Sequence, residues 1–209
     1  MKLNTLIPFV LILTLLPAIG GNGTPGKDMK SVTSMTSPFD QGKLELQSAS
    51  GAFFSVGHDG EPSLNYSSTA YRLGIMLNTP AGDGCLRGNY ELMLQLMYGS
   101  VFDGPGNYLA GGELILRYNF VQPDSKWVPY VQIGVGAVYN DIYKDQTQRL
   151  IGQNWEAVLE ASVGVRYFFN ERWSGNVEGG FQHISNANND DRNVGLNSLG
   201  ASVGLGYHF

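Results

Sequence analysis

His183 and Ser185 stand two residues apart near the end of the chain, and Asn197 follows soon after. A histidine beside a serine hydroxyl is the pairing that makes a weak alcohol nucleophilic. An amide oxygen behind the histidine can hold the other ring nitrogen, as in Cys-His-Asn sites. The chemistry requires all three side chains on one face. Along a β-strand side chains alternate, so residues two apart share a face at a spacing of about 6.5–7 Å. If 171–185 and 197–209 are adjacent strands of a hairpin, Asn197 reaches His183 from the neighbouring strand. No other stretch of the chain gathers such groups.

The elements needed to place these residues are legible as period-two runs. Eight occur, near 43–57, 65–79, 89–102, 107–121, 127–140, 154–169, 171–185 and 197–209. In the last, Leu199, Ala201, Val203, Leu205, Tyr207 and Phe209 alternate with Gly200, Ser202, Gly204, Gly206 and His208. In the fifth, Val131, Ile133 and Val135 alternate with Gln132, Gly134 and Gly136; in the sixth, Leu159, Val163 and Val165 alternate with Glu160, Gly164 and Arg166. A soluble sandwich would also alternate, with its apolar face inward. Two features favour apolar residues outward. Aromatic residues cluster at strand ends, as membrane girdles require. The other face mixes glycine with charge, which suits the crowded lumen of a small barrel. Closure also leaves no strand edge that lipid would have to satisfy. The expected fold is therefore all-β, an eight-stranded antiparallel transmembrane β-barrel over 43–209.

Composition agrees. The chain has 28 glycines, 11 tyrosines and 10 phenylalanines in 209 residues. Lys2 followed by an apolar run to Ile19, with Ala18 and Gly20 as small residues, reads as a signal peptide over 1–20. Residues 21–42 read as a flexible periplasmic leader. Removing Lys2 takes the net charge from −5 to −6, which argues against nucleic acid as a partner. Cys85 stands alone and reads as an incidental thiol in a turn. Inward Glu156, Glu160, Arg166 and Glu178 should form an ion-pair network, and His208 should be inert. The tract Asn186–Asn193 lacks the spacing of a calcium loop, so no calcium site is expected there.

Loop lengths orient the barrel. The turns at 122–126 and 170–171 are short and the connections at 141–153 and 186–196 are long. Short turns belong to the periplasmic side; the 80–88 connection is long for that side. His183 and Ser185 share parity with Trp173, Val177 and Phe181, so they face lipid at the outer end of their strand. Asn197 has the outward parity of Leu199. Glu178 has the opposite parity and lies behind the wall.

His-x-Ser-Asn-Ala at 183–187, then Asn193 and Gly195, then a closing strand, resembles the outer-membrane lipid A 3-O-deacylase family over about 30 C-terminal residues. The terminal Phe209 resembles the last residue by which outer-membrane barrels engage the barrel-assembly machinery. The resemblance implies a serine esterase that removes the 3-linked hydroxyacyl chain of lipid A, working without metal in the bacterial outer membrane. It makes Ser185 the nucleophile and His183 the general base, with Asn186, Asn193 and Gly195 supporting the motif or the oxyanion. The family carries a glutamate where this chain has Asn197. Asn197 is expected as the third member, with Asp190 or Asp191 as stand-ins. The expected partners are lipid A or lipopolysaccharide as substrate and the membrane itself; a homodimer stays open. The alternatives are a non-catalytic structural or adhesion barrel, a degenerate deacylase, or an acyltransferase.

Overall fold

The computed structural model describes residues 37–57 and 60–209. The signal peptide expected at 1–20 and the leader up to 36 lie outside the described residues. The alternating runs form eight antiparallel strands: β1 Leu44–Ser55, β2 Asn65–Met76, β3 Gly88–Asp103, β4 Tyr108–Phe120, β5 Trp127–Asn140, β6 Trp155–Phe168, β7 Trp173–Ser185 and β8 Leu196–His208. Each strand pairs with the next, and β8 returns to β1 through Glu45 opposite His208, closing the barrel. The strands lie within three residues of the expected limits. The long 80–88 connection is a hairpin extension, held by reciprocal backbone bonds between Ala81 and Gly88 at 2.9 and 3.0 Å. Cys85 is exposed at its tip.

The outward face is mostly apolar, interrupted by Ser50, Ser67 and Thr69 on β1 and β2 and by His183, Ser185 and Asn197 near the loop end. Ile133, Val163 and Val203 are 62%, 62% and 63% exposed. A continuous belt of such residues is stable against lipid and unfavourable against water. Aromatic pairs rim it at both ends. Trp127–Tyr167 and Trp173–Tyr207 lie at the end that carries Phe209, with centroids 4.6 and 5.0 Å apart. Tyr139–Trp155, at 5.5 Å, lies at the end that carries the long loops. From Trp127 to Tyr139 is about 40 Å along β5, or about 30 Å of height at a tilt of about 40°. That matches the hydrocarbon thickness.

The inward face is a packed ionic core. Arg72 pairs with Glu178 at 2.7 Å. Arg166 pairs with Glu45 at 2.5 Å. Arg117 lies 3.7 Å from Glu91 and 3.8 Å from Glu45, and covers the Tyr130 ring at 4.1 Å. Charges buried in a narrow lumen must be paired and hydrogen-bonded, and these fill the space a pore would need. The expected network holds for Arg166 and Glu178. Glu160 instead accepts from Gln132 at 2.9 Å. Glu156 leaves the lumen network too: its Oε1 accepts the backbone N–H groups of Gly152 and Gln153 at 3.2 and 2.8 Å, tying a loop to the barrel rim.

Apolar plugs seal both mouths. At the loop end Leu64, Tyr66, Leu109, Ile142, Ile184 and Leu196 form one buried cluster. At the other end Phe39 packs against Phe168 and Met76, its carbonyl accepting from Asn89 Nδ2 at 3.0 Å. Residues 37–42, expected as the end of a flexible leader, are therefore folded into the barrel mouth. A lone phenylalanine in a polar, proline-containing stretch gave no periodic signal. Its burial depends on a tertiary partner, Phe168.

Candidate active site

β7 and β8 bring the three candidate residues together. His183 lies directly opposite Asn197 in the β7–β8 register, and Ser185 lies opposite Ala157 of β6. All three side chains are half-buried on the outward face. Their inward neighbours Ile184 and Leu196 are 2% and 0% exposed within the apolar plug. The site is thus built on two rigid strands whose backs are anchored in the core.

The side chains form a relay. Asn197 Oδ1 lies 2.7 Å from His183 Nδ1, and His183 Nε2 lies 2.9 Å from Ser185 Oγ. With Oδ1 accepting, Nδ1 carries the ring proton. The lone pair of Nε2 then faces the serine hydroxyl, which is the tautomer a general base needs. The stand-ins expected for the third position are not used here. Asp190 Oδ1 accepts the backbone N–H of Arg192 at 2.9 Å, and Asp191 is exposed. Glu178 is inside the barrel, bonded to Arg72, as its parity requires.

Gly195 closes one side of the site. Its φ is +79°, a left-handed backbone that disfavours any side chain. A Cβ there would stand 3.0 Å from His183 Cε1. Gly195→Ala is expected to push the imidazole off its line to Ser185 and lower turnover about 10- to 100-fold, since displacements near 1 Å cost that much. Steady-state kinetics on the variant, with gel mobility checking that the barrel is folded, measures it. Turnover equal to the parent would remove the packing role of Gly195.

The segment after Ser185 turns tightly. Asn189 N donates to Asn186 O at 3.1 Å, while Ala187 and Asn188 have φ of +53° and +65°. Positive φ at both central positions marks a type I′ turn. Asn186 and Asn193 both hydrogen-bond to this turn and its flank. The Asn186 N–H donates to Asn193 Oδ1 at 3.0 Å, and Asn186 Nδ2 donates to Arg192 O at 3.2 Å. Asn193 Nδ2 donates to Asn188 Oδ1 at 3.0 Å. These two residues hold the motif in shape. The backbone N–H groups of Ala187 and Asn188 enter no hydrogen bond within the described residues. They are backbone donors left over next to Ser185.

Sequence reasoning missed the frame around this turn. Val194 and Gly195 donate to the carbonyls of Arg149 and Leu150, each at 3.0 Å. Arg192 bonds three further carbonyls of the 141–154 loop. In that loop the Thr147 hydroxyl and backbone N–H hold the exposed Asp145 carboxyl below the usual range. Contacts between two aperiodic loops leave no spacing to read.

Comparisons with known proteins bear on the fold and the family. Comparison with curated proteins returns no sequence match. Among solved structures the chain is similar to the neisserial surface protein A, with 13% identity, 81% of this chain and 100% of that one covered, and a TM-score of 0.58. It is also similar to the outer membrane enzyme PagL, with 19% identity, coverage of 77% and 97%, and a TM-score of 0.51. A third is the N-terminal β-barrel domain of Pseudomonas aeruginosa OprF, with 17% identity, coverage of 81% and 98%, and a TM-score of 0.50. At these identities the likeness is one of fold, and it is shared by bacterial outer-membrane barrels. The family model for lipid A 3-O-deacylase matches residues 65–206, which spans strands β2 to β8 and every residue of the relay. This chain is an eight-stranded barrel of the bacterial outer membrane and belongs to the lipid A 3-O-deacylase (PagL) family.

Proposed function

We propose that this chain is a serine esterase that hydrolyses the 3-linked hydroxyacyl ester of lipid A while the lipid stays in the membrane. The observation that carries the reading is the Asn197–His183–Ser185 relay, at 2.7 and 2.9 Å, on the lipid-facing side of the barrel wall. Ser185 lies opposite Ala157, one outward position from the girdle residue Trp155. An ester near the headgroups of the outer leaflet meets it at that height. Below the relay the small residues Ala161 and Gly179 lie between Phe181 and Leu199, and this shallow apolar surface offers a bed for an acyl chain.

In this mechanism Ser185 Oγ attacks the ester carbonyl carbon as His183 Nε2 takes the hydroxyl proton. The oxyanion is met by the unengaged N–H groups of Ala187 and Asn188. Collapse breaks the bond to the sugar oxygen, which takes the proton from His183 and leaves as the sugar hydroxyl. Water, deprotonated by His183, then attacks the acyl-serine. Free hydroxy fatty acid leaves, and Ser185 regains its proton. The chain's own polar groups supply every step.

The test is the mass spectrum of lipid A from cells with and without this protein. The expected result is loss of one 3-hydroxyacyl mass. Unchanged lipid A would favour a barrel without activity, and a gain of one acyl mass would indicate transfer rather than hydrolysis.

A further inference from the structure

The geometry points to Arg192 as a positioning residue for catalysis, one that sets the oxyanion-binding turn against the 141–154 loop. The inference rests on the esterase reading. Arg192 Nη1 donates to Asp145 O at 3.0 Å, and Nη2 donates to Tyr143 O at 3.0 Å and to Gly152 O at 3.1 Å. One planar guanidinium thus gathers three carbonyls from a loop 40 or more residues away in sequence. Among the described residues it has no carboxylate within ion-pair distance. Its function is geometric, and a fixed fork of donors suits that function better than a flexible ammonium.

The clasp reaches Ser185 through two short links. The Arg192 carbonyl accepts from Asn186 Nδ2, and the next residue, Asn193, accepts the Asn186 N–H. Asn186 follows Ser185 directly and begins the turn that presents the Ala187 and Asn188 N–H groups. The far side of the clasp is equally tight. Gly152 packs so closely that a Cβ would overlap Arg192 O and stand 2.6 Å from Asp190 Oδ1. The turn is held from both sides, at a distance from the wall where an acyl chain would lie.

This location separates two effects. Donors to an oxyanion act in the transition state, so loosening them lowers kcat. Acyl-chain binding against the barrel wall does not involve Arg192, so KM should hold. The experiment uses the full chain purified in detergent micelles, with lipid A as substrate. The proteins compared are the parent, Arg192→Met, Arg192→Lys and Gly152→Ala, each checked for a folded barrel by mobility on unheated gels. Arg192→Met should lose about 10- to 100-fold in kcat, with KM within about twofold, as expected for an oxyanion group displaced by about 1 Å. Arg192→Lys, which can keep one or two of the three bonds, should recover part of that loss. Gly152→Ala, which displaces the clasp while leaving Arg192 in place, should repeat the kcat loss. An unchanged kcat in folded Arg192→Met, or a KM that rises as kcat falls, would overturn the inference and leave the esterase reading intact. If Arg192→Met does not fold, Arg192→Lys and Gly152→Ala decide by the same split. A parent protein without activity would sink both readings together.

Discussion

Ser185→Ala is expected to abolish deacylation, with turnover falling at least about a thousandfold while the barrel stays folded and lipid A still associates. The reason is chemical. Alanine keeps the strand and its outward parity but removes the hydroxyl facing His183 Nε2, at 2.9 Å. No acyl-enzyme can then form. In well-studied serine hydrolases the loss of one member of such a unit costs nearly as much as the loss of all, because the members act together. What remains comes from direct attack by water on an ester carbonyl polarised by the N–H groups proposed to meet the oxyanion, those of Ala187 and Asn188. The fold should be indifferent, since Ser185 is half-buried on the lipid side and its hydroxyl bonds the imidazole. Lipid A mass spectra from cells expressing the variant, and labelling by a serine-directed phosphonate, both measure it. Retained deacylation by Ser185→Ala would place the nucleophile elsewhere and remove the mechanism proposed here.

Asn197→Asp should raise turnover, by about tenfold. Aspartate has the length of asparagine, so its oxygen can occupy the position 2.7 Å from His183 Nδ1 without repacking β8. The tautomer is already correct with the amide. What the amide lacks is charge to stabilise the imidazolium that forms as Ser185 attacks. In the serine-protease triad an acid-to-amide change costs about 10⁴-fold, mostly through the wrong tautomer. Only the electrostatic part is missing here. A unit charge about 4 Å from the ring is worth about 4 kcal/mol at an effective dielectric of about 20, and partial exposure reduces that several-fold. Asn197→Glu, which restores the family residue, should move in the same direction. It gains less where the extra methylene does not fit between His183 and Val56, whose N–H bonds the Asn197 carbonyl at 2.9 Å. Asn197→Leu removes the acceptor and should cost about a hundredfold or more. Steady-state kinetics across the series is decisive. If neither acid gains activity, the ring needs orientation alone at this site.

The contrast between what the sequence revealed and what it concealed follows from periodicity. Eight strands were readable because lipid imposes an apolar outer face on every one, and parity then placed His183, Ser185 and Asn197 together outside the wall. The same parity correctly put Glu178 inside. The Phe39 plug, the clasp at Arg192 and the tie from Glu156 to its loop lie in segments without a repeat, where contacts depend on distant partners. Asn186 and Asn193 show a subtler gap. The family resemblance offered them for holding the motif or the oxyanion, and only the geometry reveals that the Asn186 N–H is bonded to Asn193 and that each side-chain amide already gives one N–H to the turn or its flank.

The relay also spans a seam in the barrel. His183 and Ser185 come from β7, while Asn197 comes from β8, the last strand in the chain, whose other edge zips onto β1. Before that final strand is in register, His183 has no acceptor behind it and Ser185 no oriented base. On the proposed reading, the relay is assembled by the β7–β8 hairpin itself, and closure onto β1 then fixes the strand that carries its acceptor.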